Sequence, residues 1–334
     1  MTALLEVDHL AVQLPIERRH RPVLHDVSFR LERGEVLAVV GESGSGKSMT
    51  AKAVLRLLPA GATTSGRIVF DGLDVGNARK AELRELRSRR IGMIFQDPRA
   101  AINPVHRIGD FLTEVLVREH GVAKNAALDR AAAMLDEVGI DEPRRRLRQY
   151  PHELSGGMLQ RVMIASVLLV EPDLILADEP TTALDVTTQA EVVALLDDLR
   201  SARGTAMIFI THDLELAASV SDRTAVMYAG YLVETLPSRQ ALEQPAHPYT
   251  EALLRSRPDL LQRMKRIPQI PGRPLAPYEI GAGCPFHPRC NYADEECRLE
   301  LPPITTDGEG SVRCFHTADV RAGQPAAHDR AGDP

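Results

Sequence analysis

Cysteine is scarce in this chain: four in 334 residues, and none before Cys284. A disulfide framework running through the fold is excluded, because such scaffolds need cysteines spread along the sequence. Long apolar runs are missing as well. The longest mainly apolar stretches, Ile164 to Val170 and Leu174 to Ala177, fall far short of the ~20 residues that cross a hydrocarbon core. Nor is positive charge in excess. Lys and Arg number 40 against 46 Asp and Glu, a net charge of −6, which disfavours a nucleic acid or an anionic bilayer as partner. The opening MTALLEVDHLAVQL alternates apolar and polar residues and carries acids, unlike a secretion signal. The expectation is a protein of the cytoplasmic side that spans no membrane.

Composition supplies ample core material, with 44% hydrophobic and 26% charged residues, and the length suggests two domains or one large domain with an appendage. Residues 4 to 14 and 24 to 31 alternate as half-exposed strands do, separated by a basic loop from Glu17 to Arg21. Val36 to Val40 has no polar side chain and reads as a strand buried on both faces. It leads into a Gly-rich turn and a helix from Ala51 to Leu58, halted by Pro59. Strands are expected at 66 to 70 and 91 to 95, with a charged helix from Ala81 to Arg90 between them. A helical insertion follows over about 98 to 160. The βαβ alternation returns with Leu174 to Ala177, a helix from Thr187 to Arg203, and Ala206 to Ile210. Beyond Pro245 prolines crowd the chain and predict a loop-rich appendage. The stretch 317–334 lacks apolar periodicity and is expected to be disordered.

Three motifs carry chemistry. Gly41-Glu-Ser-Gly-Ser-Gly-Lys47-Ser48 fits GxxxxGK[ST] between a buried strand and a helix. Its glycines let successive N–H groups converge on phosphate oxygens, Lys47 reaches the β and γ phosphates, and the Ser48 hydroxyl ligates Mg²⁺. Leu174-Ile-Leu-Ala-Asp178-Glu179 sets an acid pair at the end of a buried strand. Asp178 can hold the metal's water shell, and Glu179 can orient or deprotonate the attacking water. Ala177 stands where a bulkier apolar residue is typical. Leu154-Ser155-Gly156-Gly157-Met158 opens a helix and forms a second anion-binding device. One phosphate chain does not need two helix termini on one domain. Two facing copies, each closing its Ser155 loop over the other's P-loop, satisfy both.

GESGSGKS, FQDP, LSGGMLQR, ILADEP, TTALD and THD, in this order and spacing, resemble the nucleotide-binding domain of ABC transporters over about residues 4 to 250. The resemblance implies an α/β P-loop NTPase core with an N-terminal antiparallel β subdomain, a helical insertion, and a Pro-rich C-terminal cysteine module. It implies ATP and Mg²⁺ held by Gly41, Glu42, Ser43, Gly44, Ser45, Gly46, Lys47, Ser48 and Met49 with Gln96 and Asp178. Gln96 matches the residue that contacts Mg²⁺ and the attacking water and senses the membrane partner, and His212 matches the switch histidine at the γ-phosphate. Glu179, His212 and Gln96 form the catalytic set, while Ser155, Gly156, Gly157 and Asp185 match residues at a dimer seam. One departure concerns the base: the family stacks an aromatic from the loop between the first two strands, and Ile16 to Arg21 contains no Phe, Tyr or Trp. Arg18, Arg19, His20 and Arg21 are the residues of that stretch with a flat group able to stack.

Cys284, Cys290, Cys297 and Cys314 follow C-x5-C-x6-C-x16-C. Clustered thiols in a reducing compartment suggest a metal centre; the gaps do not match the tight knuckles of structural zinc, and four thiolates also suit [4Fe–4S]. Unpaired buried thiols and disulfides remain alternatives. With His247-Pro-Tyr-Thr250 and Pro271-Gly-Arg-Pro274, the segment 251–316 resembles the C-terminal extension of oligopeptide and dipeptide importer ATPases. That resemblance favours [4Fe–4S], with zinc as the alternative. It also implies a second, paralogous ATPase subunit, two permease subunits and an extracytoplasmic binding protein, with the chain peripheral at the cytoplasmic face of the membrane. Nickel-chelate or glutathione import would use the same ATPase. A DNA-repair ATPase would need a long heptad insertion, and the stretch 98 to 153 holds Pro104, Pro143 and Pro151.

Overall fold

The computed structural model describes residues 3–181, 185–256 and 269–324. Twelve strands run in chain order: β1 (Leu5–Ile16), β2 (Arg19–Leu31), β3 (Val36–Val40), β4 (Thr63–Phe70), β5 (Leu73–Asp74), β6 (Ile91–Ile94), β7 (Leu174–Asp178), β8 (Ala206–Thr211), β9 (Arg223–Tyr228), β10 (Tyr231–Pro237), β11 (Thr305–Asp307) and β12 (Gly310–Val312). They form an antiparallel sheet ordered β2-β1-β4-β5 and a larger sheet ordered β11-β12-β10-β9-β3-β8-β7-β6. In the larger sheet β6, β7, β8, β3 and β9 are parallel, and β10 and β12 run antiparallel beyond β9.

The all-apolar segment Val36–Val40 lies at the middle of this sheet because only a strand covered on both faces can bury every side chain. Each Val or Leu so buried contributes about 1.5–3 kcal/mol. The registers Val40↔Thr211 and Asp178↔Ile210 bring the carboxyl ends of β3, β7 and β8 to one edge. That edge is where open α/β sheets bind ligands.

Between β6 and β7 lie the helices of the insertion. Ile108, Leu112 and Leu116 recur every fourth position on helix Ile108–Arg118 and share a core with Ala127, Ala131 and Leu135 of helix Lys124–Glu137 and with Val162 of helix Gly156–Leu168.

Three expectations change. The basic segment Glu17 to Arg21 is not a loop: β1 and β2 pair to the tip, Ile16 opposite Arg19 and Leu14 opposite Arg21, with Glu17 and Arg18 alone in the turn at φ 51° and 63°. Charge hides the strand there because both faces of the tip meet solvent, so no apolar alternation is required. Secondly, the Pro-rich segment is no satellite. The 250 boundary falls inside helix Pro248–Arg255, β12 pairs with β10 through Glu234↔Val312, and Phe286, Ala293 and Cys297 share a core with Tyr228, Tyr249 and Leu214. Thirdly, Thr317–Ala322 of the expected disordered tail is a helix that buries Val320, so one apolar contact does there what periodicity did not advertise. The prolines at 258 and 268 lie outside the described residues.

Candidate active site

The chain leaves β3 into a loop whose Gly41, Gly44 and Gly46 take φ of 153°, 82° and 108°. Glycine is required by space as well as angle: a Cβ at Gly41 would lie 2.2 Å from the Met227 carbonyl, and one at Gly46 would lie 2.6 Å from Leu24 Cδ2. Gly46 then caps helix Lys47–Val54, whose first turn holds no acid, so its positive end faces the loop unopposed. Lys47 Nζ donates to the carbonyls of Gly41 (2.8 Å) and Glu42 (3.0 Å). Burial lowers the Lys47 pKa, opposed by Glu179, Asp178 and Glu42. Ser45 Oγ is buried without a hydrogen-bond partner among the described residues. The amides of this loop converge on a concave surface at the helix N-terminus, which fits an anionic ligand.

Acids meet this loop from the neighbouring strand. Asp178 closes β7 and accepts a hydrogen bond from Ser48 Oγ at 2.7 Å. Burial raises its pKa against that bond. Glu179 sits at φ 45°, in the left-handed region, with its amide donating to the Ile210 carbonyl at 3.0 Å. A non-glycine residue held there is strained, and its carboxylate lines the cleft. Gln96 Nε2 donates to Glu179 Oε2 at 3.0 Å, Lys47 Nζ lies 3.9 Å from Oε1, and His212 Nδ1 lies 3.9 Å from Oε2. Gln96, Glu179, His212 and residues Gly41 to Met49 other than Ser45 line one cleft of about 1250 Å³.

Two of the expected groups stand elsewhere. Ser155 caps helix Gly156–Leu168 by accepting from the Met158 amide at 3.3 Å, and it is exposed. A Cβ at Gly156 would meet nothing within 4 Å. Asp185 caps helix Val186–Ala202 by accepting from the Thr188 amide, 3.1 Å, and Thr188 Cγ2 would lie 3.3 Å from a Cβ at Gly157. The Ser155 loop and Asp185 are therefore close to each other and outside the cleft. Residues 182–184 of the TTALD motif lie outside the described residues.

All four cysteines are free; the Cys284 amide donates to the Cys297 carbonyl at 2.8 Å, and Cys290 packs against the apolar cluster that holds both. Burial pushes Cys290 and Cys314 up to about 12 and Cys297 to about 11. Opposing this, the amides of Tyr292 and His316 donate to the sulfurs of Cys290 and Cys314, both at 3.3 Å. Donors aimed at sulfur favour the thiolate that a metal needs. Among the described residues, the group of three ligand-type side chains with atoms within 4.8 Å of one another is Asp294, Cys297 and His316.

The arginines preceding two of these cysteines reach into the N-terminal half. Arg313 pairs with Asp26 of β2 at 2.8 Å. Arg289 makes a bidentate pair with Glu42 of the Gly-rich loop, at 2.6 and 3.1 Å, and also donates to the Pro271 carbonyl at 2.9 Å. Burial works against the Arg289 charge, but Glu42 and Tyr228 outweigh it and raise its pKa. The Glu42 amide donates to Tyr249 Oη at 2.8 Å. Sequence reasoning missed Arg289 and Tyr249, because no one-dimensional pattern links positions 247 residues apart.

Fold and site together define a P-loop ATPase of the ATP-binding cassette type. A family model described as ABC transporter matches residues 24–182, and another described as oligopeptide/dipeptide transporter, C-terminal region, matches residues 233–297. The oligopeptide transport ATP-binding protein OppD of Salmonella typhimurium is 44% identical over 313 residues, 93% of each chain. OppD of Haemophilus influenzae is 43% identical over 320 residues, covering 96% of this chain and 99% of its own. Among solved structures, the ATP-binding cassette MJ0796, a dimer bound to ADP and phosphate after hydrolysis, superposes with a TM-score of 0.63 at 26% identity, over 70% of this chain and 99% of that one. The chain belongs to the oligopeptide/dipeptide transporter family of ABC ATPases, and it is the ATP-binding, ATP-hydrolysing subunit of such a transporter. Among the described residues no helix is long and apolar enough to cross a membrane.

Proposed function

We propose that the chain energises import of oligopeptides or dipeptides by pairing with a second ATPase subunit across two shared ATP sites. The observation that carries this reading is the separation of the exposed Ser155 loop from the cleft that holds Lys47, Gln96, Glu179 and His212. Residues Gly41 to Met49 bind the triphosphate, Lys47 leaving its loop carbonyls for the β and γ oxygens. Ser48, Asp178 and Gln96 would hold Mg²⁺, which supplies charge neutralisation when bound. Glu179 takes the proton of the attacking water, Gln96 and His212 orient that water and the γ-phosphate, and Asp185 lies at the seam. The companion chain's Ser155, Gly156 and Gly157 complete the site. ATP thereby stabilises the closed pair, and hydrolysis releases it.

Two permeases tie the chain to the cytoplasmic membrane face, and an extracytoplasmic protein delivers the substrate. The OppD relatives, whose name assigns them oligopeptide transport, support the choice of peptide. The test is Glu179→Gln in the full complex: ATP binding should persist and a closed, ATP-loaded pair should accumulate with hydrolysis abolished. Retained steady-state hydrolysis removes Glu179 as the base.

We infer further that Cys284, Cys290, Cys297 and Cys314 hold a structural [4Fe–4S] cluster. The backbone hydrogen bond between Cys284 and Cys297, the packing of Cys290 beside them and the amide donors on two of the sulfurs support it. One zinc bound by four thiolates, with bonds of about 2.3 Å, would draw the sulfurs to about 3.8 Å of one another. The second reading is a single ion held by Asp294, Cys297 and His316, whose ligand atoms lie within 4.8 Å of one another.

A further inference from the structure

A nucleotide needs a surface for its base as well as a cradle for its phosphates, and the tip of β1 and β2, Ile16 to Arg21, carries no Phe, Tyr or Trp. The C-terminal extension offers one. The segment 269–279 forms a wall of the same cleft whose floor is the Gly-rich loop, and Tyr278 is the one Phe or Tyr among the lining residues. It is also the one exposed Phe or Tyr among the described residues, at 41%. A large ring left in solvent at the mouth of a ligand cleft is the exception to the burial of aromatics and marks a contact surface.

The ring is firmly presented. Pro277, beside it, is buried, and its carbonyl bonds to His25 Nε2 of β2 at 2.8 Å. Glu279 on the other side accepts from Arg273 at 2.7 and 2.9 Å and from the Ala276 amide at 2.9 Å. Arg21 of β2 places its guanidinium 4.8 Å from the Tyr278 ring centroid, covering one face by a cation–π contact. Val23, two residues further along β2, lines the same cleft.

We propose that Tyr278 is the stacking platform for the ATP base, with Arg21 fixing the ring from its far side, so that the peptide-importer extension supplies a binding residue of the ATP site. This rests on the nucleotide reading of the Gly-rich loop. Stacking tolerates any flat base, so GTP is accepted along with ATP.

The chain contains no tryptophan, so Tyr278→Trp installs a single reporter. In the full-length protein its emission should be quenched by MgATP and left unchanged by inorganic tripolyphosphate. Calorimetry on Tyr278→Ala should show ATP binding weakened roughly tenfold, with tripolyphosphate affinity as in the wild type, and Tyr278→Phe should restore ATP binding. Unchanged Trp emission at saturating MgATP overturns the assignment, as does an equal loss of ATP and tripolyphosphate binding in Tyr278→Ala. Failure of the wild-type chain to bind tripolyphosphate would instead remove the phosphate-loop reading on which the proposal stands.

Discussion

Replacing Arg289 by methionine removes a guanidinium while keeping an unbranched apolar stem, and it leaves Glu42 without its partner. The Arg289 side chain is 3% exposed and that of Glu42 is 26% exposed. Breaking a fully buried pair costs about 3–5 kcal/mol, whereas an exposed pair is worth about 0–1 kcal/mol. Glu42 can recover part of its hydration, so a loss of about 2 kcal/mol in unfolding free energy is expected. Urea unfolding of the full chain reads this number. Because Glu42 belongs to the phosphate-binding loop, ATP affinity measured by calorimetry should fall in the same variant. The double variant Arg289→Met with Glu42→Gln removes the stranded charge and should recover part of the stability, giving a coupling energy of at least about 0.5 kcal/mol. An unchanged urea midpoint and unchanged ATP affinity in Arg289→Met would refute the claim that this pair steadies the loop.

His247 tests a second buried group. Its Nδ1 accepts from the Tyr249 amide at 3.0 Å, and burial lowers its pKa to about 3. The unfolded chain, with a histidine pKa of about 6.5, binds the proton first, so stability is full above pH 6.5 and falls as pH drops toward 3. Between pH 7.5 and 5.5 the loss from this group is about 1.4 kcal/mol. His247→Asn, which keeps a capping acceptor, should flatten that part of the profile, and an unaltered slope would show that His247 is not its source. Anaerobic purification should yield a brown protein with iron and sulfide in equal amounts, and a colourless preparation with one zinc would overturn the cluster. For Glu179→Gln, steady-state ATPase should drop to background while native gel filtration with ATP shifts to the paired species.

Motif-bearing parts of the fold were legible because their chemistry is local. A buried strand, a Gly-rich turn and a helix read directly from Val36 to Leu58, and the structure sets Asp178 and Ser48 2.7 Å apart, where their motifs expect shared work. The β9–β10 hairpin was silent because its turn is Ala229-Gly230, with alanine at φ 46° where glycine or asparagine usually signals the bend. The charged tip of β1 and β2 misled because solvent on both faces removes the alternation that marks a strand. Tyr278 and Arg289 were hidden for a different reason. Their partners, Arg21 and Glu42, lie some 250 residues upstream, and only the folded chain brings them together.

The pairing of β12 with β10 sets a timetable for synthesis. Strand β10 ends at Pro237, and its neighbour begins at Gly310, 73 positions later. At about 5–20 residues per second, a ribosome leaves that edge bare for roughly 4–15 s. Throughout this interval the nascent sheet presents a row of unpaired amides and carbonyls to any passing strand. A strand made 73 positions after its neighbour is thus the one that covers this side of the sheet.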